Sequence, residues 1–161
     1  DAMLAAIGAR FALEGHPRDL TTLHPIAAGD MYGIRGMDHL AQPGLLKKVL
    51  AGSYPSGPSS LPMPDIWRLI VEDRIAAYNV PSGILFDMHR DAAAKRPGVL
   101  TKVGLGTFVD PQLQGCAMNA RAAGEPVVSK VHFADDDWLF FPTLYPRVAI
   151  IRATTADERP R

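Results

Sequence analysis

The chain has 161 residues, 47% of them apolar and 21% charged, with 17 basic and 17 acidic side chains and a formal net charge of zero. That length suits one well-buried domain, and the balanced charge argues against a broad basic face for nucleic acid or anionic lipid. A single cysteine, Cys116, excludes an internal disulfide and fits a reducing, cytoplasmic setting, and no apolar run approaches the ~20 residues that span a bilayer.

The sequence begins at Asp1 directly in a helical pattern, without a secretion signal, and so reads as cut from something larger or numbered from its first ordered residue. Asp1 to Glu14 places Met3, Leu4, Ile7, Phe11 and Leu13 near one stripe, with Asp1 able to cap the start and Gly15-His16-Pro17 ending it. Leu20 to Ile26 reads as a buried strand. Ala27 to Gln42 is glycine-rich and reads as a loop with one helical turn. Pro43 to Leu50 is expected to be a short helix, with Pro near its first position and Gly52 beyond its end.

A Ser-, Pro- and Gly-dense loop follows at Ser53 to Pro64. Pro64 to Asp73 is then expected to be a helix with Ile66, Trp67, Ile70 and Val71 inward. The centre of the chain, Ala77 to Pro111, reads as strand, turn, helix, turn, strand. Ala77 to Val80 and Leu100 to Val103 are the strands, and the helix runs from Ile84 to Lys95. Such a unit predicts parallel pairing of the two strands through a right-handed crossover. Ligand crevices of open α/β sheets lie beyond the strands' carboxyl ends, so Ser82-Gly83 and Gly104-Leu105-Gly106-Thr107 become the candidate site turns. Gln112 to Glu125 reads as loop. Val127 to Phe133 and Trp138 to Phe141 form an expected antiparallel edge hairpin around Ala134 to Asp137, and Arg147 to Ala153 is an expected last buried strand. The fold class is therefore α/β, an open, mostly parallel sheet with flanking helices and an antiparallel edge hairpin, in a single domain.

Motifs with more specific chemistry are incomplete. Gly104-x-Gly106 follows a strand but lacks the rest of GxGxxG and the helix that would hold a pyrophosphate. His24, Asp30, Asp38 and His39 lack the spacing of a metal site, and no metal is assigned. His89 sits among Asp87, Arg90 and Asp91 on an expected solvated face, and Asp135-Asp136-Asp137 on a solvated turn. Cys116 has no evident activating partner. Ser82 stands at a sharp turn after a strand, but Val80-Pro81-Ser82-Gly83 lacks the first Gly of a hydrolase elbow. It is instead expected to cap the following helix, leaving first-turn N–H groups free for an anion or developing oxyanion.

The order of motifs carries a further signal. His24-Pro25 with Gly29-Asp30, Gly33-Ile34-Arg35-Gly36, His39-Leu40 and Gly44 to Val49 come first. Ala77 to Pro81, Arg96 to Pro111, Met118-Asn119 and Val148 to Glu158 follow. Together they resemble the first half of a family I coenzyme A transferase of the acetate/propionate and 3-ketoacid type. The resemblance implies two similar α/β lobes, of which this chain is much of the first. It also implies ping-pong transfer of coenzyme A, as substrate rather than cofactor, between carboxylic acids through a glutamyl-CoA thioester. The nucleophilic glutamate belongs to the second lobe, so none of Glu14, Glu72, Glu125 or Glu158 takes its role, and the chain alone is expected to be inactive. A Gly-Gly-Phe loop of the family is absent as well. Many members have Pro-Gln-Gly where this chain has Pro81-Ser82-Gly83, and the shorter serine puts the oxyanion role of that position in question. The implied pocket comprises Asn79, Ser82, Gly83, Gly104, Gly106 and Thr107; the implied partners are acyl-CoA, a carboxylic acid and a second lobe or subunit in an oligomer. The alternative is a non-catalytic acyl-CoA-binding or assembly module of the same fold.

Overall fold

The computed structural model describes residues 1–30, 32–56 and 61–155. Its elements are α1 (Ala2–Glu14), β1 (Leu20–His24), a 3₁₀ helix (Gly36–Leu40), β2 (Leu46–Ala51), α2 (Asp65–Val71), β3 (Ala76–Asn79), α3 (Ser82–Ala93), β4 (Gly98–Thr101), α4 (Ala120–Ala123), β5 (Ser129–Phe133) and β6 (Asp136–Pro142). The α/β class holds, with the strands divided between two sheets. β1, β2 and β3 form a parallel sheet in that order, and β4, β6 and β5 form an antiparallel one.

The parallel sheet is covered on both faces, which explains its apolar strands. Val49, Ala51 and Ala77 face one core layer, completed by Met37 and Leu40 of the 3₁₀ helix and by Ile66, Leu69 and Ile70 of α2. Leu50, Ala76 and Tyr78 face the other, where Ile84, Leu85 and Met88 of α3 meet Val99, Leu139 and Phe141 of the antiparallel sheet. α3 thus joins the two sheets. The β3–α3–β4 unit exists, but its strands do not pair with each other: β4 pairs with β6, and beside β3 the chain at Ala117 makes an antiparallel bridge to Tyr78.

Other expectations are corrected by burial. Pro43 to Leu50 is not a helix; Leu46–Ala51 is the central strand of the parallel sheet. Leu46 and Val49 to Ala51 are buried while Lys47 is exposed, and Gly44 and Gly52 confine the segment to strand length. In α1, Leu4, Ile7 and Phe11 pack half-buried against the first core layer and Gly8 is fully buried, while Met3 and Leu13 are exposed. Asp1 holds the N-cap position of α1 without a side-chain capping bond; its carboxylate instead accepts from Gly36 N–H at 2.7 Å and faces His39 Nε2 at 3.2 Å. In α2, Ile66 and Ile70 are buried but Val71 is exposed. Asp91 on α3 is buried, with its carboxylate 3.2 Å from Arg96, rather than solvated.

Within Gln112 to Glu125, Asn119 nucleates α4: its Oδ1 accepts from Ala122 N–H, while Nδ2 donates to Ile70 O and Ile75 O. The hairpin is present, turning at Ala134 and Asp135, both at positive φ as a tight two-residue turn requires. β6 is central in its sheet, with β4 and β5 at its two edges. Arg147 to Ala153 makes no strand: Val148 and Ile151 are 78% and 86% exposed. Its composition encodes extended, buried structure, but nothing among the described residues pairs with it.

Candidate functional site

The carboxyl ends of the parallel strands converge. β1 ends at His24 and continues to Pro25; β2 ends at Ala51 and continues to Gly52 and Ser53; β3 ends at Asn79 and turns through Val80 and Pro81 into α3. Gly52 N–H donates to His24 O at 3.2 Å and Val80 N–H to Ala51 O at 2.9 Å, extending the sheet one step into these turns. Ser53 Oγ accepts from Ala27 N–H at 2.6 Å.

Ser82 Oγ donates to Pro25 O at 2.6 Å, so the α3 start is pinned to the turn after β1. Ser82 is therefore the first residue of α3 rather than its cap; Pro81 precedes the helix, with no side-chain capping bond. Proline supplies the pre-set φ of that position, and its carbonyl accepts from Ile84 and Leu85 N–H. The N–H groups of Ser82 and Gly83 lie in the first turn, where a helix offers them no acceptor. Gly83 faces open space, with nothing within 4 Å of where a Cβ would stand.

Gly52 is a residue that the sequence presents only as a helix stop. A Cβ there would lie 2.1 Å from Pro25 O and 2.2 Å from Ser82 Oγ, so the three turns can close together only around a glycine. The detectable signal was a glycine directly after a strand-length apolar run. His24 stands beside it, donating from Nδ1 to Ile26 O at 3.0 Å, and burial lowers its pKa against the raising effect of that carbonyl. The ring is thus held neutral, with Nε2 bare and enclosed. Tyr54 packs edge-on to it and donates to Tyr78 O at 2.9 Å, and burial raises the Tyr54 pKa.

The second turn, Gly104 to Thr107, is built differently. Thr107 Oγ1 donates to Gly104 O at 2.7 Å and accepts from Val109 N–H. The buried Asp110 carboxylate accepts from Gly106 N–H at 3.1 Å and Gln112 N–H at 3.0 Å, with Lys130 Nζ at 3.4 Å. Those bonds, Gly106 first, hold the Asp110 carboxyl below the ordinary aspartate range. Gly104 and Gly106 have φ of +96° and +71°. The two turns communicate through the backbone: Phe108 O accepts from Cys116 N–H, and Cys116 O accepts from Asn79 N–H, both at 2.9 Å. Asn79, Ser82 and Gly83 are thus gathered at one strand end, whereas Gly104, Gly106 and Thr107 form a neighbouring loop attached through Cys116.

Cys116 itself is buried, and burial pushes its thiol up to about 12, so it stays protonated. The four polar residues considered for a metal are engaged separately. Asp30 Oδ1 accepts from Tyr32, Gly33 and Ile34 N–H; Asp38 accepts from Ile66 N–H and pairs with Arg35; His39 faces Asp1; and His24 holds Ile26.

Residues 3–161 match the family described as coenzyme A transferase. The chain belongs to the coenzyme A transferase family. It is similar to YdiF of Escherichia coli strain K12, named as an acetate CoA-transferase, at 36% identity over 156 residues. It is also similar to the caffeate CoA-transferase of Acetobacterium woodii, at 39% identity over 158 residues. These matches cover 97% and 98% of this chain but only 28% and 29% of the relatives, so the chain spans less than a third of their length. Among solved structures, the acyl-CoA transferase YdiF of E. coli O157:H7, in a thioester complex with CoA, superposes with a TM-score of 0.82 at 34% identity. That superposition covers 94% of this chain and 28% of the other. The described residues thus have the fold of part of a CoA-transferase.

Proposed function

We propose that residues 1–161 form part of the first lobe of a CoA-transferase moving coenzyme A between an acyl-CoA and a carboxylic acid. The observation that carries this reading is the rim at Pro25, Gly52 and Ser82, with the first turn of α3 beside it, in a chain of this family. The names of the relatives, acetate and caffeate CoA-transferase, support the reaction class.

The reaction begins when a glutamate carboxylate supplied from outside this chain attacks the acyl-CoA carbonyl. A mixed anhydride forms and CoA leaves as thiolate. The thiolate then attacks the glutamyl carbonyl, releasing the first acid as carboxylate and leaving a glutamyl-CoA thioester. The acceptor carboxylate runs these steps in reverse. Each addition places negative charge on a carbonyl oxygen, which preorganised N–H donors stabilise. In this reading Ser82 and Gly83 present first-turn N–H groups, Asn79 borders them, and Gly104, Gly106 and Thr107 form the opposite wall.

The Ser82 hydroxyl proton is committed to Pro25 O, so this residue serves through its backbone N–H and by shaping the turn. Glu14 is exposed and paired with Arg10, and Glu125 pairs with Lys48, which suits neither to be the nucleophile; Glu158 lies outside the described residues. The finer assignments are a short-chain acid substrate, an oligomer completed by a second lobe or subunit, and a cytoplasmic location. No helix among the described residues is long and apolar enough to cross a membrane.

The test is denaturing intact-mass spectrometry of the complete polypeptide before and after mixing with acetyl-CoA. A covalent CoA adduct that a carboxylic acid removes is the expected result. An unchanged mass, with acyl-CoA still bound in equilibrium dialysis, would instead assign a binding module.

A further inference from the structure

We propose that Lys130 is a positioning residue for the candidate site: through the Asp110 carboxylate it fixes Gly104–Thr107 as a wall that shapes the crevice without donating to the substrate. This inference rests on reading the crevice as an acyl-CoA site and says how its second turn works.

The two turns differ in what their N–H groups do. Those of Ser82 and Gly83 have no acceptor within their helix. In the second turn Leu105 N–H donates to Lys102 O, Thr107 N–H to Gly104 O and Asp110 N–H to Thr107 O, while Val109 N–H donates to Thr107 Oγ1. Gly106 N–H donates to Asp110 Oδ2 at 3.1 Å. Successive N–H groups of such a turn form an anion-binding concavity, and here the chain's own carboxylate fills it. Gly106 nevertheless faces open space, with nothing within 4 Å of where a Cβ would stand. The turn therefore lends the crevice its shape, and the developing oxyanion is left to the first turn of α3.

The arrangement depends on one cation. The Asp110 side chain is 5% exposed, and a carboxylate so buried is costly unless it is paired and hydrogen-bonded. Lys130, on the edge strand β5, places Nζ 3.4 Å from Asp110 Oδ2, 3.0 Å from Gln112 Oε1 and 3.9 Å from Asp137 Oδ2. Gln112 N–H in turn donates to Asp110 Oδ1 at 3.0 Å. One ammonium thus ties the loop to the β5–β6 hairpin by two of its residues, and its influence reaches Gly106 through Asp110.

The experiment combines equilibrium dialysis with acetyl-CoA and steady-state kinetics, on the complete polypeptide and its Lys130→Met and Lys130→Arg variants. Lys130→Met is expected to weaken acetyl-CoA binding and raise its KM by roughly threefold or more, with kcat within about twofold of the parent. Lys130→Arg keeps the cation and should restore most of the loss. In an Asp110→Asn background Lys130→Met should add nothing, because its route to Gly106 is already gone. Unchanged binding in Lys130→Met would overturn the proposal. So would a fall in kcat at constant KM, which would make the second turn a donor to the transition state, or additive losses in the double variant. A parent that binds acetyl-CoA without turnover would overturn the transferase reading alone, and weaker binding by Lys130→Met would then still support the role of Lys130. A parent that does not bind acetyl-CoA would overturn both.

Discussion

The two turns that flank the candidate site are held in opposite ways. The Val80–Gly83 turn is set by distant chain: Pro25 from β1, Gly52 from β2 and Cys116 from the segment beside β3 fix it. The Gly104–Thr107 turn is set locally, by Thr107, Val109 and Asp110 within the same loop, with Lys130 as the outside contact. The first should therefore fail together with the parallel sheet. The second should tolerate sheet damage but respond to its own few residues.

The largest expected effect is at the junction of the first turn. Gly52→Val places side-chain atoms where Pro25 O and Ser82 Oγ already stand, and should destabilise the protein by about 3 kcal/mol, as overpacked sites do. Chemical denaturation measures the loss; a variant of parental stability would show that the three turns do not meet. Next is a paired test of the second turn. Gly104→Ala combines a positive φ with contact on Val109, at 2.6 Å from its Cβ, whereas Gly106→Ala meets nothing within 4 Å. The expected costs are about 2 kcal/mol and about 1 kcal/mol, the latter being the left-handed backbone penalty alone. Equal costs would mean that Val109 does not confine this loop.

Ser82→Ala is expected to cost about 1 kcal/mol, because Pro25 O loses its donor, and to leave the fold intact. Ser82→Gln should fold and change the acyl preference of the complete enzyme; kinetics identical across acids of several sizes would remove this residue from the pocket. The smallest effect concerns pH. The folded-state pKa of His24 is lowered by burial, so its contribution to stability is fully present above the unfolded value of about 6.5 and is lost as pH falls below it. Stability should therefore drop more between pH 7 and pH 5 in the parent than in His24→Asn. Matching slopes would place the imidazole in solvent.

Asp110 gives the second turn a separate acid limit. Its carboxyl is held low, chiefly by Gly106 N–H, so the order it confers is present at neutral pH and is lost as pH falls through its folded-state pKa, beneath the usual carboxylate range.

Local chemistry in the sequence determined a good part of this. Apolar runs on either side of Ala134 to Asp137 specified the β5–β6 hairpin, the apolar spacing of Ile84, Leu85 and Met88 specified α3, and glycine and proline marked both site turns. The ordered motifs also carried the family. Tertiary structure decided the rest, because one apolar run suits more than one environment. Pro43 to Leu50 was legible as one short element, but only neighbours on both faces make Leu46–Ala51 the central strand β2 rather than a helix. Ser82 was legible as a turn serine, yet its partner Pro25 lies 57 positions away in sequence, so its hydroxyl's role could not be read from adjacent residues. β3 and β4 were each legible as strands, but strand propensity does not choose a partner. That choice rests on which edges α3, Ala117 and β6 bring within hydrogen-bonding reach.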